Sequence, residues 1–375
     1  MTNYFFISSP LHFLFSVNMA IHHRGEHNVA VITSFIPSNA QLLVDVIEQD
    51  DSVFNTVLSF NKFSHLSKMA QRKARLKLLR SFLQENPASR IYTGTDRNVE
   101  FQFAMHCARQ QNPATQGIYL DEGTQTYLGN KRMHKLQHRY IDPFLKKLSF
   151  GWWWKNPIII GTSAWIDVVY AAFPHLVHPL FAGKAIQPFN SQYFDDPACQ
   201  RIAAMLLEKV KLDQNLLANI DCVVLLTHDS FYQDAEQHIN QLMQAVCTQF
   251  PLHRIAIKAH PRSKMIDKLK EDYPDATHVD NRIGFELMLP LFSAQCVFVG
   301  DVSSTLFTVK WFKPKQNVYA VKIAQVSPSH FEAPLQQLFQ NGGRVGAPLL
   351  AVVTHVTHEQ RGAGHQALAQ HRLAV

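Results

Sequence analysis

Apolar residues in the first third of the chain come in short unbroken runs, separated by longer segments where they recur every three or four positions. Residues 4–8, 29–33, 56–60, 90–93 and 117–120 read as short buried strands. Residues 11–23, 39–48, 66–84 and 100–110 have the length and spacing of helices. Strand alternating with helix predicts a largely parallel sheet, because parallel neighbours need a crossover long enough to hold a helix. The rhythm returns after residue 221. Strands are expected there at 222–226, 254–258, 277–279, 296–299 and 318–321, and helices at 235–248, 285–292 and 305–312.

The pattern loosens between the two halves, where Pro157, Pro174, Pro179 and Pro188 interrupt it. The chain is therefore expected to divide into an N-terminal α/β domain over 1–160, a connection over 161–215, a second α/β domain over 216–345 and a weakly ordered tail over 346–375. The tail carries Gly362, Gly364 and several histidines. A length of 375 residues suits two or three domains, and 46% hydrophobic against 17% charged residues excludes a disordered chain. Five scattered cysteines with no CxxC pair support neither a disulfide framework nor a cysteine-based zinc site, so a reducing compartment is expected. No apolar run reaches the roughly 18 residues of a membrane span, and the first residues lack a basic signal-peptide region. A cytoplasmic protein is the expectation.

Common nucleotide and hydrolase fingerprints are missing: no GxGxxG follows the first strand, and there is no GxxxxGK[ST], GxSxG or HExxH. His134 and His138 stand four apart, but Lys131, Arg132, Lys135 and Arg139 surround them, which suits a solvated helix face better than a metal. Three other places draw attention because each follows an expected strand, where open α/β sheets bind ligands. Asp121-Glu122-Gly123 puts two carboxylates at a strand end, either as a general base with its neighbour or as an acidic turn capping a helix. His260-Pro261 presents an imidazole from extended backbone, suited to a phosphate or to an ordinary loop. Gly300 leads into Ser303-Ser304-Thr305, whose hydroxyls and free amides open a helix as a phosphate cradle or as a plain N-cap.

In this order and spacing the three motifs resemble those of the bacterial sialyltransferases: a D/E-D/E-G motif, an HP motif and a downstream serine/threonine pair. Ser8-Ser9-Pro10-Leu11 after the first strand and Phe285-Glu286-Leu287 before the last motif look like the group of glycosyltransferase family 52 and the polysialyltransferases. The resemblance implies a GT-B fold, α/β with two Rossmann-like domains facing across a cleft. It implies an inverting, metal-independent transfer of sialic acid, or a related nonulosonic acid, from a CMP-sugar donor to a surface glycan or glycolipid such as lipooligosaccharide or capsule. Under it Asp121 is the general base and His260 the acid or electrostatic partner of the departing CMP phosphate. Ser303, Ser304 and Thr305 bind that phosphate, and Glu286 meets the ribose. Ser8 and Ser9 line the site near the sugar carboxylate, and Glu122, Gly123 and Pro261 complete the substrate contacts. No cofactor is expected. A GT-B polymerase using a CDP-polyol donor, and a non-catalytic glycan- or nucleic-acid-binding protein, are the alternatives.

The formal charge of +7, from 36 basic and 29 acidic residues, is concentrated in the first domain. Lys62, Lys68, Arg72, Lys73, Arg75, Lys77 and Arg80 crowd one segment. Lys131, Arg132, Lys135, Arg139, Lys146, Lys147 and Lys155 crowd another, which ends in Trp152-Trp153-Trp154. Basic helices beside an aromatic cluster suit an anionic membrane surface as partner and a peripheral place on the inner membrane face. They suit equally a solvated face over buried tryptophans. Nucleic acid is not expected as a partner, since no recognition signature accompanies the charge.

Overall fold

The computed structural model describes residues 1–33, 37–60, 63, 65, 67–121, 123–129, 141–209, 211–212, 214–229, 232, 234–260, 262–279, 284–301, 304–313, 316–322 and 351–354. These residues form two α/β units, each built on its own parallel sheet.

The first unit holds β1 (Thr2–Ile7), α1 (Pro10–His22), β2 (His27–Ile32), α2 (Pro37–Gln49), β3 (Thr56–Ser59), α3 (Lys68–Glu85), β4 (Arg90–Thr93), α4 (Val99–Gln111), β5 (Gln116–Leu120), α5 (Thr124–Leu128), α6 (Asp142–Phe150), β6 (Val168–Ala171), β7 (Ala185–Pro188), α7 (Pro197–Lys209) and α8 (Gln214–Ala218). Its seven strands lie in the order β3-β2-β1-β4-β5-β6-β7, all parallel. The interior strand β1 is buried along Asn3 to Ile7, and its near-continuous apolar run is what a strand covered on both faces requires. Helix α1 starts at Pro10, with the Ser9 hydroxyl accepting from the His12 amide, and is buried along most of its length. Gly117 in β5 is required by packing: a Cβ there would sit 1.9 Å from the Trp165 carbonyl oxygen. The strand order reverses between β1 and β4, where a doubly wound sheet opens its ligand crevice.

The second unit contains β8 (Cys222–Leu225), α9 (Ala235–Cys247), β9 (Ile255–Lys258), α10 (Ile266–Asp272), β10 (Thr277–His278), β11 (Val297–Asp301), the start of α11 (Ser304–Phe312), β12 (Val318–Lys322) and β13 (Ala351–Thr354). The sheet order is β10-β9-β8-β11-β12-β13, again all parallel, with its reversal between β8 and β11. Gly300 sits on β11 where a Cβ would lie 2.3 Å from the Leu225 carbonyl oxygen, so only glycine lets these two strands pair.

Four expectations about organisation change. Residues 161–215, expected as a connection, add β6 and β7 to the first sheet and carry α7. Of the prolines that loosened the pattern, Pro174 and Pro179 open 3-10 turns and Pro188 ends β7, while Asp96 binds the Gly161 and Ser163 amides to hold the turn before β6. The second domain is not one continuous stretch, since residues 284–293 and 308–313 pack with the first unit. There Trp311 and Phe312 join a ring cluster with Phe15, Phe189 and Phe194. The helix expected at 285–292 is a 3-10 segment, Phe285–Leu291, with Pro290 inside it, because proline removes the amide that an α-helix would use. Within the expected tail, β13 pairs with β12, and residues 355–375 lie outside the described residues, as do His134 and His138.

Candidate functional site

In the first unit the candidate residues gather at the C-terminal ends of β1 and β5. Asp121 directly follows β5 and is 1% exposed. One carboxylate oxygen accepts from the Gly123 amide at 2.8 Å and the Thr126 hydroxyl at 2.7 Å. The other accepts from the Ala172 amide at 3.1 Å and from the Tyr127 hydroxyl. A carboxylate has about four lone-pair sites, so these donors satisfy it fully. Burial nevertheless raises its pKa, with the hydrogen bonds pulling the other way. The Tyr127 hydroxyl also accepts from the Phe173 amide, and Tyr119 meets Thr126 at 3.0 Å, so Asp121 anchors a network joining the strand end, α5 and the chain after β6. Gly123 has φ +82°, a left-handed conformation that favours glycine at this turn. Glu122 lies outside the described residues.

The Ser8-Ser9 segment lies against this turn. A Cβ on Gly123 would be 3.9 Å from Leu11 Cδ2, and one on Gly284 would be 2.3 Å from Pro10 Cβ and 3.3 Å from Glu286 Oε2. Glu286, far away in sequence, is thereby brought beside the start of α1. Ser9 is engaged as the cap of α1, while the Ser8 hydroxyl meets His12 Nδ1 at 2.7 Å. His12 is buried, and burial lowers its pKa to about 4, so the ring is neutral near pH 7. Its ring occupies the crevice at the sheet's reversal: a Cβ at Gly94, just after β4, would fall 2.0 Å from it.

In the second unit His260 follows β9. Its Nδ1 accepts from the Arg262 amide at 3.1 Å, so the neutral ring carries its proton on Nε2 and offers that as a donor. His228, three residues beyond β8, packs edge-on against it with ring centroids 5.0 Å apart. Asp229 ties the two loops together, accepting from the Ser263 hydroxyl at 2.5 Å and the Lys264 amide at 2.6 Å. Burial first, then the charges of His228, Arg262 and Lys258, hold the His260 pKa below the usual histidine value, with Asp229 opposing them. On the far side of β8, strand β11 leads to α11, which begins at Ser304 with Thr305 half-buried in its first turn. Ser303 and Pro261 lie outside the described residues. Glu286 is carried with the first unit, His260 and Ser304 with the second.

Sequence reading did not single out His12, Tyr127, His228 or Asp229. His228 and Asp229 were within reach, because Leu226-Thr227-His228-Asp229 follows an expected strand just as the other three motifs do. Among the described residues no group of three or more histidine, cysteine, aspartate or glutamate side chains is placed to hold a metal ion.

Two Rossmann-like parallel α/β units, with candidate residues at the C-terminal ends of their strands, define the fold class as GT-B type. The sequence matches the family Alpha-2,8-polysialyltransferase (POLYST) over residues 3–322, and the chain belongs to that family. Sialyltransferase-type glycosyl transfer is its activity class. No curated protein matches the sequence significantly. Similar solved structures include UDP-GlcNAc 2-epimerase from Methanocaldococcus jannaschii, with TM-score 0.49, 12% identity and coverage of 94% of this chain and 89% of that one. MnaA of S. aureus, solved with UDP, has TM-score 0.48 and 11% identity, covering 99% and 89%. MurG of Acinetobacter baumannii has TM-score 0.43 and 10% identity, covering 100% and 92%.

Proposed function

We propose that the protein transfers sialic acid, or a related nonulosonic acid, from a CMP-sugar to a glycan or glycolipid acceptor, with inversion and without a metal. The observation that best supports this is the His260 loop. An imidazole with its Nε2 proton available and basic groups around it stands one strand away from β8, and β8 in turn pairs with the strand feeding the Ser304 helix start. Such a place suits a leaving phosphate. The acceptor hydroxyl attacks the anomeric carbon and the bond to the CMP phosphate breaks, its electron pair passing to the phosphate oxygen. His260 donates a hydrogen bond, or its proton, to that oxygen. Ser303, Ser304, Thr305 and the amides of the helix start hold the phosphate where charge develops. Glu286 is assigned to the ribose, and Ser8 and Ser9 to the sugar carboxylate.

The acceptor proton goes to the Asp121-Glu122 pair. With Asp121 as base, one of its four donors must give way to the acceptor hydroxyl, and the Thr126 hydroxyl is freer to rotate away than the two amides. The saturation of Asp121 favours a second reading, in which Asp121 positions the turn and Glu122 takes the proton. Transfer would occur at the inner face of the cytoplasmic membrane, where glycolipid acceptors are made.

The deciding experiment incubates the purified protein with CMP-sialic acid and, separately, CDP-glycerol, with a sialylated glycan acceptor. Release of CMP with elongation of the acceptor supports the proposal. Turnover of CDP-glycerol alone would move the assignment to polyol-phosphate transfer.

A further inference from the structure

Helix α6 is an amphipathic helix facing the wrong way for a soluble protein. Ile141, Phe144, Leu145 and Leu148 follow the spacing of three and four that makes one helical stripe. An ordinary surface helix turns this stripe inward, yet here none of its residues is buried: Ile141 and Phe144 are 55% exposed, Leu145 53% and Leu148 64%. The opposite face packs on the protein instead. Phe150 lies against Trp154 at 5.1 Å and under the Arg72 guanidinium of α3, while the Lys146 ammonium stands 5.1 Å over the Trp154 ring. The tryptophan run divides in the same sense. Trp154 is 1% exposed and Trp153 packs on the core, whereas Trp152 is 73% exposed with Lys147 over its ring. Ile158 adds another half-exposed apolar side chain.

We propose that α6 with Trp152 is a wedge that inserts into the headgroup region of an anionic lipid bilayer. This gives the proposed membrane partner a defined element, and it stands whichever sugar the enzyme transfers. Charge complementarity selects the bilayer over a second copy of the chain. Lys147 stands over the exposed Trp152 ring, exposed Lys155 follows the tryptophans, half-buried Lys146 lies on the packed side of α6, and α3 beside it adds exposed Lys68, Lys73, Lys77 and Arg80, against Asp142 and Glu85 on the two helices. A self-interface would bring these like charges together, while anionic lipid neutralises them. No helix of the described residues is long and apolar enough to cross a membrane, so a wedge in the plane of the interface is the form of attachment the geometry offers.

The test uses the full-length protein in co-flotation with phosphatidylcholine vesicles, with and without about a third phosphatidylglycerol. Wild type should float with the anionic vesicles, with a blue shift of tryptophan fluorescence that Trp152→Ser reduces. A triple variant, Phe144→Ser with Leu145→Ser and Leu148→Ser, should lose binding by about tenfold or more, each lost apolar group weakening insertion. Its melting temperature and its transfer to a soluble acceptor should stay unchanged, because these side chains are exposed and outside the candidate site. Lys146→Glu with Lys147→Glu should weaken only the anionic part of the binding. Vesicle binding undisturbed by the triple variant would overturn the proposal. So would a concentration-dependent dimer that the same variant abolishes without any vesicle binding.

Discussion

The carboxylate after β5 and the imidazole after β9 each follow the second strand from their sheet's reversal, on opposite flanks of it, and their surroundings differ in kind. Asp121 is sealed, with four donors on two oxygens and a pKa raised by burial. His260 is half-buried, with Nδ1 accepting from a backbone amide and a pKa lowered by burial and basic neighbours. The first arrangement holds a backbone in place. The second is suited to respond to charge: under the proposed function, a phosphate arriving beside the neutral imidazole would favour its protonated form and draw the proton toward the leaving oxygen. The proposed function gives the two groups different tasks, shape for Asp121 and proton chemistry for His260.

Mutation can break this contrast. His260→Ala should have the largest effect on transfer, lowering kcat by about 10²–10⁴-fold with little change in melting temperature, as measured by CMP release and thermal unfolding. Asp121→Ala should lower both quantities, since four donors lose their acceptor, of which the buried ones cost about 1–3 kcal/mol each. Glu122→Gln separates the two base assignments. A large loss of kcat at unchanged stability places the base at Glu122, and near-normal activity returns it to Asp121.

The contrast also extends to pH. His12 is neutral in the folded protein with a pKa of about 4 against an ordinary 6.5. Between those values the unfolded chain binds a proton that the native state refuses. Stability is therefore full above pH 6.5 and falls as the pH drops toward 4, by about 3 kcal/mol for this group. Urea unfolding of His12→Asn at pH 5 and pH 7 should show a flatter acid dependence than wild type. The smallest effect expected is that of His228→Ala. Removing that ring takes away a positive neighbour, so the His260 pKa rises toward its usual value and the pH profile of transfer shifts upward while kcat falls only several-fold.

Much of the fold was legible because βαβ packing writes itself into apolar runs. The strands of β1, β2, β4, β5, β8, β9 and β11 fall within a residue or two of where hydrophobic spacing put them. The short strands β6 and β7 were hidden, since four residues each, with Pro174 and Pro179 between them and Pro188 ending β7, carry too little pattern to outweigh the reading of a connection. At the site, Asp121 and His260 could be read because each follows a clear strand. The partners of Asp121 could not, because Thr126, Tyr127 and Ala172 reach it through a turn and a distant strand that local spacing does not encode. His12 looked like one more residue of a helix, and only the close approach of Gly94 reveals that it fills the crevice.

Sequence alone determined two α/β halves, strand ends rich in carboxylate, imidazole and hydroxyl groups, and a positive charge concentrated in the first half. These are properties of neighbours in the chain, where periodicity, propensity and charge act locally. Tertiary structure decided which carboxylate oxygens are already occupied, which histidine stands beside His260, and which side of α6 faces solvent. Those depend on contacts between residues far apart in sequence, and burial rather than residue type sets both the protonation of a buried group and the use of an exposed apolar face.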